Sequence, residues 1–286
     1  MGIPDQENGR ERTVIASKVK LQEICFGLRD EASPELVKIE GYPLDREILG
    51  SYNKLKETLA CDGFKLRLES AFRPFERQLS IWNRKARGEL PLLDATGVPM
   101  ELPRDEERLM YAILTWSALP GASRHHLGTD LDVVDGNACP DGYEVQLTPA
   151  ECDGMFAPFH KLLTELMAAG KSFGFERVFV PGRGKIQPEK WHIAHLPTSR
   201  KYLEGFSLDA LRTLYENTDI ACKSALLDNL DKLARDYIYP YFVIGYYACK
   251  FYSENIITCG RLKTIEKALY FVFYFFIFVL FLYTLL

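Results

Sequence analysis

The sequence predicts an α+β fold: a small, mainly antiparallel sheet flanked by helices, with a C-terminal hydrophobic helix of transmembrane length. Three observations predict it. Stretches that alternate with period two are mixed with stretches of helical period, without the regular βα repeat of a parallel sheet. A length of 286 residues, 47% hydrophobic and 26% charged, is ample for a real core. The last 19 residues, Ala268 to Leu286, carry no charge, which matches about one bilayer crossing.

The elements follow in chain order. Residues 1–48 read as an N-terminal arm, polar and loosely packed over 1–20. Ser51 to Gly63 reads as a helix with Leu55 and Leu59 on its apolar face and Gly63 as the stop. Phe64, Leu66, Leu68 and Ser70 alternate with charges, as a half-buried strand does. Glu76 to Gly88 is helical. Leu90 to Asp105 is rich in Pro, Gly and Asp and reads as a loop or lid. Glu106 to Leu119 places Leu109, Ile113, Leu114 and Trp116 at helical spacing. Residues 130–134 are strand-like. The next helix turns Leu162, Leu163, Leu166 and Met167 inward and ends at Gly170. A short strand over 176–180, a Gly/Pro turn, and helical runs near 207–217 and 220–236 complete the body. The domain expectation is therefore an arm at 1–48, a catalytic body at 49–236, a connector at 237–267 and a tail at 268–286.

A net charge of −4 and a pI near 5.8 leave no basic excess for nucleic acid. Seven scattered cysteines with no CxxC argue for reduced thiols rather than a disulfide framework. The N-terminus has no apolar stretch, so no cleavable secretory signal is expected. Arg261, Lys263 and Lys267 precede the tail. The positive-inside rule then keeps the body on the cytoplasmic face, tail-anchored in the membrane. Two other readings of the tail stand beside this one: a buried terminal helix, and an artefact of the reading frame.

Chemistry concentrates in three blocks. The stretch from Pro120 to Asp135 holds His125, His126, Asp130, Asp132 and Asp135, with Gly128 between the histidines and the strand. A turn at Gly128 brings His125 and Asp132 to one metal, and Asp130 and Asp132 share a sheet face because they are two apart. Read alone, the stretch is either a metal site or an acidic turn before a strand. In the second block, Glu189 and His192 are three apart, which is not the HExxH helix spacing. The pairing sets a carboxylate able to move a proton beside an imidazole able to bind metal. The third block places Arg73 at a strand end, where a charge-assisted donor can hold a carboxylate or oxyanion. His160 reads as a surface or lightly buried helix residue, and His195 as a packing residue.

Taken in order, the blocks read Ser70-Ala-Phe-Arg73, then Ser123-Arg-His125-His-Leu-Gly128-Thr-Asp130-Leu-Asp132, then Glu189-Lys-Trp191-His192. Over roughly residues 50–200 the chain resembles the zinc D-alanyl-D-alanine carboxypeptidase and dipeptidase family, the VanY/VanX-like LAS metallopeptidases. The resemblance implies Zn2+ held by His125, Asp132 and His192, with Glu189 as catalytic base and Arg73 as stabiliser of the scissile carbonyl or substrate. It implies that Ser123, Asp130, Gln78, Ser70 and Trp191 bind substrate or support the ligands. The implied substrate is a D-Ala-ended peptide or muropeptide of peptidoglycan metabolism. A peptidoglycan endopeptidase or amidase of the same group, and a non-catalytic zinc-containing binding module, are the rival readings. Two departures stand out. Asp130 occupies a position where the family has a small residue, and His126 adds a second imidazole beside His125.

Overall fold

Every element that carries the site is tied to one ladder, and the strand at its centre is buried along its whole length. The structure is a computed structural model that describes residues 17–242. Its strands are β1 (Leu36–Ile39), β2 (Tyr42–Asp45), β3 (Leu66–Ser70), β4 (Leu92–Leu93), β5 (Pro99–Met100), β6 (Asp130–Asp135), β7 (Phe175–Glu176) and β8 (His192–His195). Residues 17–26 are helical and form α1. The other helices are α2 (Leu49–Cys61), α3 (Phe75–Ala86), α4 (Glu106–Leu114), α5 (Pro149–Asp153), α6 (Ala157–Ala168), α7 (Leu196–Leu203), α8 (Leu208–Glu216), α9 (Lys223–Asp228), α10 (Leu230–Leu233) and α11 (Tyr239–Phe242).

The main sheet runs β3-β6-β8-β7, antiparallel throughout. Alternation divides its two faces. Leu66, Leu68, Leu131, Val133, Phe175 and Ile193 point into a core closed by Leu55 and Leu59 of α2 and Phe159 and Leu163 of α6. Asp130, Asp132 and His192 belong to the opposite set. All six residues of β6 are buried, so its polar face lies under other chain and not in water. The predicted α+β class, with antiparallel sheets flanked by helices, matches this architecture.

Several expectations need correction. Residues 24–48 contribute to the body: Ile24, Cys25, Phe26, Leu36, Leu44 and Ile48 are buried, and β1 and β2 form a hairpin. The turn between them puts Glu40 at φ 52 and Gly41 at φ 90, the left-handed pair that a tight hairpin turn needs. The loop at 90–105 contains a second small hairpin, β4-β5. The strand expected over 176–180 is only Phe175–Glu176, because pairing with β8 ends at Glu176↔Ala194. On α4 it is Met110, with Ile113 and Leu114, that is buried, while Leu109 is half-buried. The run expected over 220–236 breaks into α9, α10 and a π-type turn at Ala234–Ile238, and helix continues through α11. Cys25, Cys61, Cys139, Cys152 and Cys222 are free thiols. The expected hydrophobic helix at 268–286 lies outside the described residues, as do most of the connector, Cys249 and Cys259. Among the described residues no helix is long and apolar enough to cross a membrane.

Leu163 is fully buried in the core behind the sheet. Leu163→Ala is expected to lower the unfolding free energy by about 2–5 kcal/mol, read as a shifted urea midpoint with an unchanged slope. An unmoved midpoint would mean that α6 does not close this core.

Candidate metal centre

Asp132 and His192 face each other in the β6–β8 register, and His125 reaches the same point from the turn before β6. That turn is a short 3-10 segment, Arg124–Leu127, with Ser123 at its head. It stops at Gly128, whose φ of 69° is left-handed. A Cβ there would come within 3.3 Å of the Asp45 amide nitrogen, so glycine suits both the conformation and the space. The Arg73 amide donates to the His125 carbonyl at 3.0 Å and fixes the turn against the end of β3.

The three side chains converge. His125 Nε2 lies 3.2 Å from Asp132 Oδ2, and His192 Nδ1 lies 3.2 Å from Asp132 Oδ1. One ligand atom from each residue lies within 4.8 Å of the others, and all three residues are buried. The outward ring nitrogens are engaged. His125 Nδ1 donates to the Ala71 carbonyl at 2.8 Å, and His192 Nε2 donates to Asp130 Oδ2 at 2.9 Å. A proton held on each outward nitrogen leaves the inward one free as a metal ligand. Two imidazoles and a carboxylate, with room for a fourth ligand, are a donor set suited to zinc. The residues therefore fit the ion.

Asp130 does not join the cluster directly. It grips His192 from behind, and it is itself gripped by Arg124, with Nε–Oδ2 at 2.6 Å and Nη2–Oδ1 at 3.2 Å. The Thr129 hydroxyl adds a donor at 2.9 Å. Burial works against the Asp130 charge, but Arg124 and His192 outweigh it and hold the carboxyl below its usual range. Asp132 is likewise held low, with His125 and His192 overcoming burial. For His192 burial opposes the charge, while the hydrogen bonds to Asp130 and Asp132 prevail and raise it to about 9. Burial lowers His125.

A cleft of about 240 Å³ opens over the cluster. Glu189 lies on its wall, with Oε2 3.8 Å from His192 Nδ1. Its amide donates to the Phe179 carbonyl at 3.0 Å, which sets the position of the loop before β8. Burial pushes the Glu189 carboxyl up to about 8, helped by Asp132 and opposed by His192 and Arg73. Arg73 lines the same cleft. Its guanidinium donates to Gln78 Oε1 at 2.9 Å and to the Ser70 hydroxyl at 3.0 Å, and Gln78 is anchored to the Ala118 carbonyl at 2.8 Å. Burial lowers the Arg73 pKa. Ser123 lines the cleft. Trp191 stacks on Trp116 with ring centroids 6.2 Å apart. All ten sequence-selected residues therefore lie in or beside one cleft.

The remaining histidines separate from it. His126 turns away: its Nε2 accepts from the Gly121 amide at 3.0 Å and its Nδ1 donates to the Arg73 carbonyl at 2.6 Å. His195 packs against Phe175, with ring contacts to Thr198 and Ser51. His160 is a correction. It is buried rather than near the surface, and neither ring nitrogen has a hydrogen-bond partner among the described residues. Burial pushes it down to about 3. Sequence reasoning missed Arg124 and Lys85. Lys85 lines the cleft and donates to the Ser117 hydroxyl at 2.7 Å. Its place seven residues after Gln78, on the same face of α3, was the available signal.

In the metal-free protein, His192 binds its proton up to about 9 against an ordinary 6.5. That contribution to stability is complete below pH 6.5 and is lost as pH rises through 9. Glu189, raised to about 8 from an ordinary 4.5, also loses stability on charging, so both groups act in one direction. Chelator-treated protein is expected to show a falling denaturation midpoint between pH 6.5 and 9. A flat or rising midpoint there would contradict the Asp130–His192–Asp132 arrangement.

Comparison with known proteins places the chain. The model of the VanY family, described as D-alanyl-D-alanine carboxypeptidase, matches residues 42–198. A Haemophilus influenzae protein described as uncharacterized is 30% identical over 128 residues, covering 43% of this chain and 95% of the relative. A second uncharacterized protein of that organism is 39% identical over 77 residues, covering 27% of this chain and 53% of the relative, about half its length. Among solved structures, VanYB in complex with D-alanine-D-alanine gives a TM-score of 0.41 at 22% identity, covering 68% of this chain and 93% of that one. A vancomycin-resistance D,D-pentapeptidase VanY in complex with Zn(II) gives 0.40 at 21% identity, covering 67% and 89%. The family match spans more than half of the chain and contains all three blocks: this protein belongs to the VanY family of D-alanyl-D-alanine carboxypeptidases.

Proposed function

We propose that the protein is a zinc-dependent peptidase that hydrolyses D-Ala-ended peptides, as a D-alanyl-D-alanine carboxypeptidase or dipeptidase of peptidoglycan metabolism. One observation carries the reading. In a member of this family, Glu189 lies 3.8 Å from the metal-facing nitrogen of His192, on the wall of a cleft floored by His125, Asp132 and His192. A module that only bound zinc and ligand would have no use for a carboxyl at that point.

His125, Asp132 and His192 would hold the zinc, which would supply Lewis acidity and lower the pKa of an attacking water towards ~7. Glu189 accepts the proton from the attacking water and delivers it to the departing amine. Its place beside the metal-facing nitrogen of His192 suits both steps, because a general acid–base must lie within reach of the proton it moves. Arg73 faces the reacting carbonyl with a guanidinium held in place by Gln78 and Ser70. Such a donor meets the developing negative charge without reorganising. Ser123, Trp116 and Trp191 shape the cleft wall around the peptide. Asp130 acts on substrate only through His192.

Glu189→Gln is expected to lower kcat by about 10²–10⁴-fold while bound zinc, counted by metal analysis, stays at the wild-type level. Arg73→Met is expected to lower kcat by about 10²–10³-fold. Release of D-alanine from a D-Ala-D-Ala dipeptide, a D-Ala-ended pentapeptide and cross-linked muropeptides, each with and without chelator, tests the reading. Full turnover by Glu189→Gln with zinc bound, or full turnover after zinc removal, would sink it. Cleavage confined to cross-linked muropeptides would instead favour an endopeptidase.

A further inference from the structure

Tyr241 stands in α11, beyond the 42–198 span of the family match. We propose that Tyr241 is a positioning residue for His192, reaching the imidazole from behind the cleft along two separate routes. The inference rests on the zinc reading of His125, Asp132 and His192 for its consequence, but not for its geometry.

The first route is polar. Arg124 Nη1 donates to the Tyr241 carbonyl at 2.7 Å. The same guanidinium holds Asp130 through Nε at 2.6 Å, and Asp130 Oδ2 accepts from His192 Nε2 at 2.9 Å. Arg124 is 2% exposed, Asp130 and His192 are 0% exposed, and Tyr241 is 1% exposed, so no water stands in for a lost partner. The α11 backbone thus sets where Arg124 sits, Arg124 sets where Asp130 sits, and Asp130 fixes which ring nitrogen of His192 keeps its proton.

The second route is apolar. The Tyr241 ring packs on Phe179 with centroids 4.8 Å apart, and Phe179 packs edge-on to His192 at 4.6 Å. The phenol fixes the same loop: Tyr241 Oη accepts from the Ile186 amide at 2.9 Å and donates to the Ile186 carbonyl at 3.3 Å. The Lys185 amide adds a bond to the Asp236 carbonyl at 3.0 Å. Gly184 makes the approach possible, since a Cβ there would stand 2.5 Å from the Tyr241 hydroxyl and 2.7 Å from Cζ. One route controls the tautomer of His192 and the other limits the tilt of its ring. A metal ligand needs both, and the segment beyond the family span supplies the anchor for each.

The test uses the full chain with Tyr241→Ala, Tyr241→Phe and Gly184→Ala, the last pressing on the ring without altering Tyr241. Leu163→Ala, in the core behind the sheet, controls for lost stability alone. The zinc dissociation constant is read by chelator competition well below each unfolding temperature. In parallel, solvent exchange of the His192 Nε2 proton is followed by NMR in metal-free protein. Tyr241→Ala and Gly184→Ala keep the 241 carbonyl but free the ring and the α11 backbone from the loop, so they are expected to weaken zinc binding about 10–100-fold, the range for lost outer partners of metal ligands, and to speed the exchange by loosening the carbonyl that holds Arg124. Tyr241→Phe, which keeps the ring, is expected to stay near wild type in zinc affinity, and Leu163→Ala is expected to lower Tm without moving either readout. Variants at 241 and 184 that lose Tm yet bind zinc and protect the proton as wild type does would reduce Tyr241 to ordinary core and overturn the proposal. Should wild type bind no zinc, the peptidase reading fails, and the exchange rates alone decide the role of Tyr241.

Discussion

The pairing of Asp132 with His192 across the β6–β8 ladder is the constraint on which both the core and the site depend. Because side chains alternate along each strand, this register sends Leu131, Val133 and Ile193 into the core and Asp132 and His192 into the cleft. A slip of one residue would bury the carboxylates among leucines and expose the core residues in the cleft, so no neighbouring register competes. The burial that stabilises the sheet therefore also aligns two of the three clustered side chains. The third, His125, needs only the left-handed turn at Gly128 to meet them.

Three carboxylates crowd this region, and the structure gives each a different environment. Asp130 is held ionised by Arg124 and Asp132 by the imidazoles, while Glu189 has weaker cationic support against its burial and is pushed towards neutrality. Separating the protonation of neighbouring carboxyls in this way is how one site obtains both a permanent anion and a proton carrier. The extra carboxylate at 130 is tolerable because its cation comes from the same block, six residues earlier. Left alone, a buried Asp130 would cost several kcal/mol. With Arg124 it becomes a fixed acceptor for the outward nitrogen of His192.

The site was largely legible in the sequence because its geometry is local or periodic. Period-two alternation put Asp130 and Asp132 on one face, and the glycine at 128 supplied the turn. His126 follows His125 directly, so its side chain diverges, and the structure turns it towards Gly121 and Arg73. What was not legible depends on distant contacts. Arg124 bonds a carbonyl 117 positions away, and nothing near it in sequence announces that partner. The burial of His160 goes with a distant neighbour, Arg177, which donates to its carbonyl from seventeen positions on, and is not announced by helical spacing. The β1-β2 hairpin was hidden because Pro43 weakens any strand reading, although Glu40-Gly41 is a serviceable turn signal. The strand expected over 176–180 carried strand-like residues, yet the partner strand ends too soon to pair with them.

His192 is bracketed by acceptors on both of its ring nitrogens. Two carboxylates, Asp130 and Asp132, approach one imidazole from its two nitrogens, and a doubly protonated ring satisfies both with hydrogen bonds. Charge balance among these groups is thus reached by a proton as well as by a metal. A metal at such a place would take the inward nitrogen of His192, with the outward proton kept on Nε2 by Asp130. Small zinc domains, by contrast, bury so little without the ion that its binding energy is their folding energy. Here the ladder, the core and the Arg124–Asp130 pair already fix the ligand positions. Metal affinity then reflects how well the imidazoles are held, which depends on the residues behind them as much as on the three ligands.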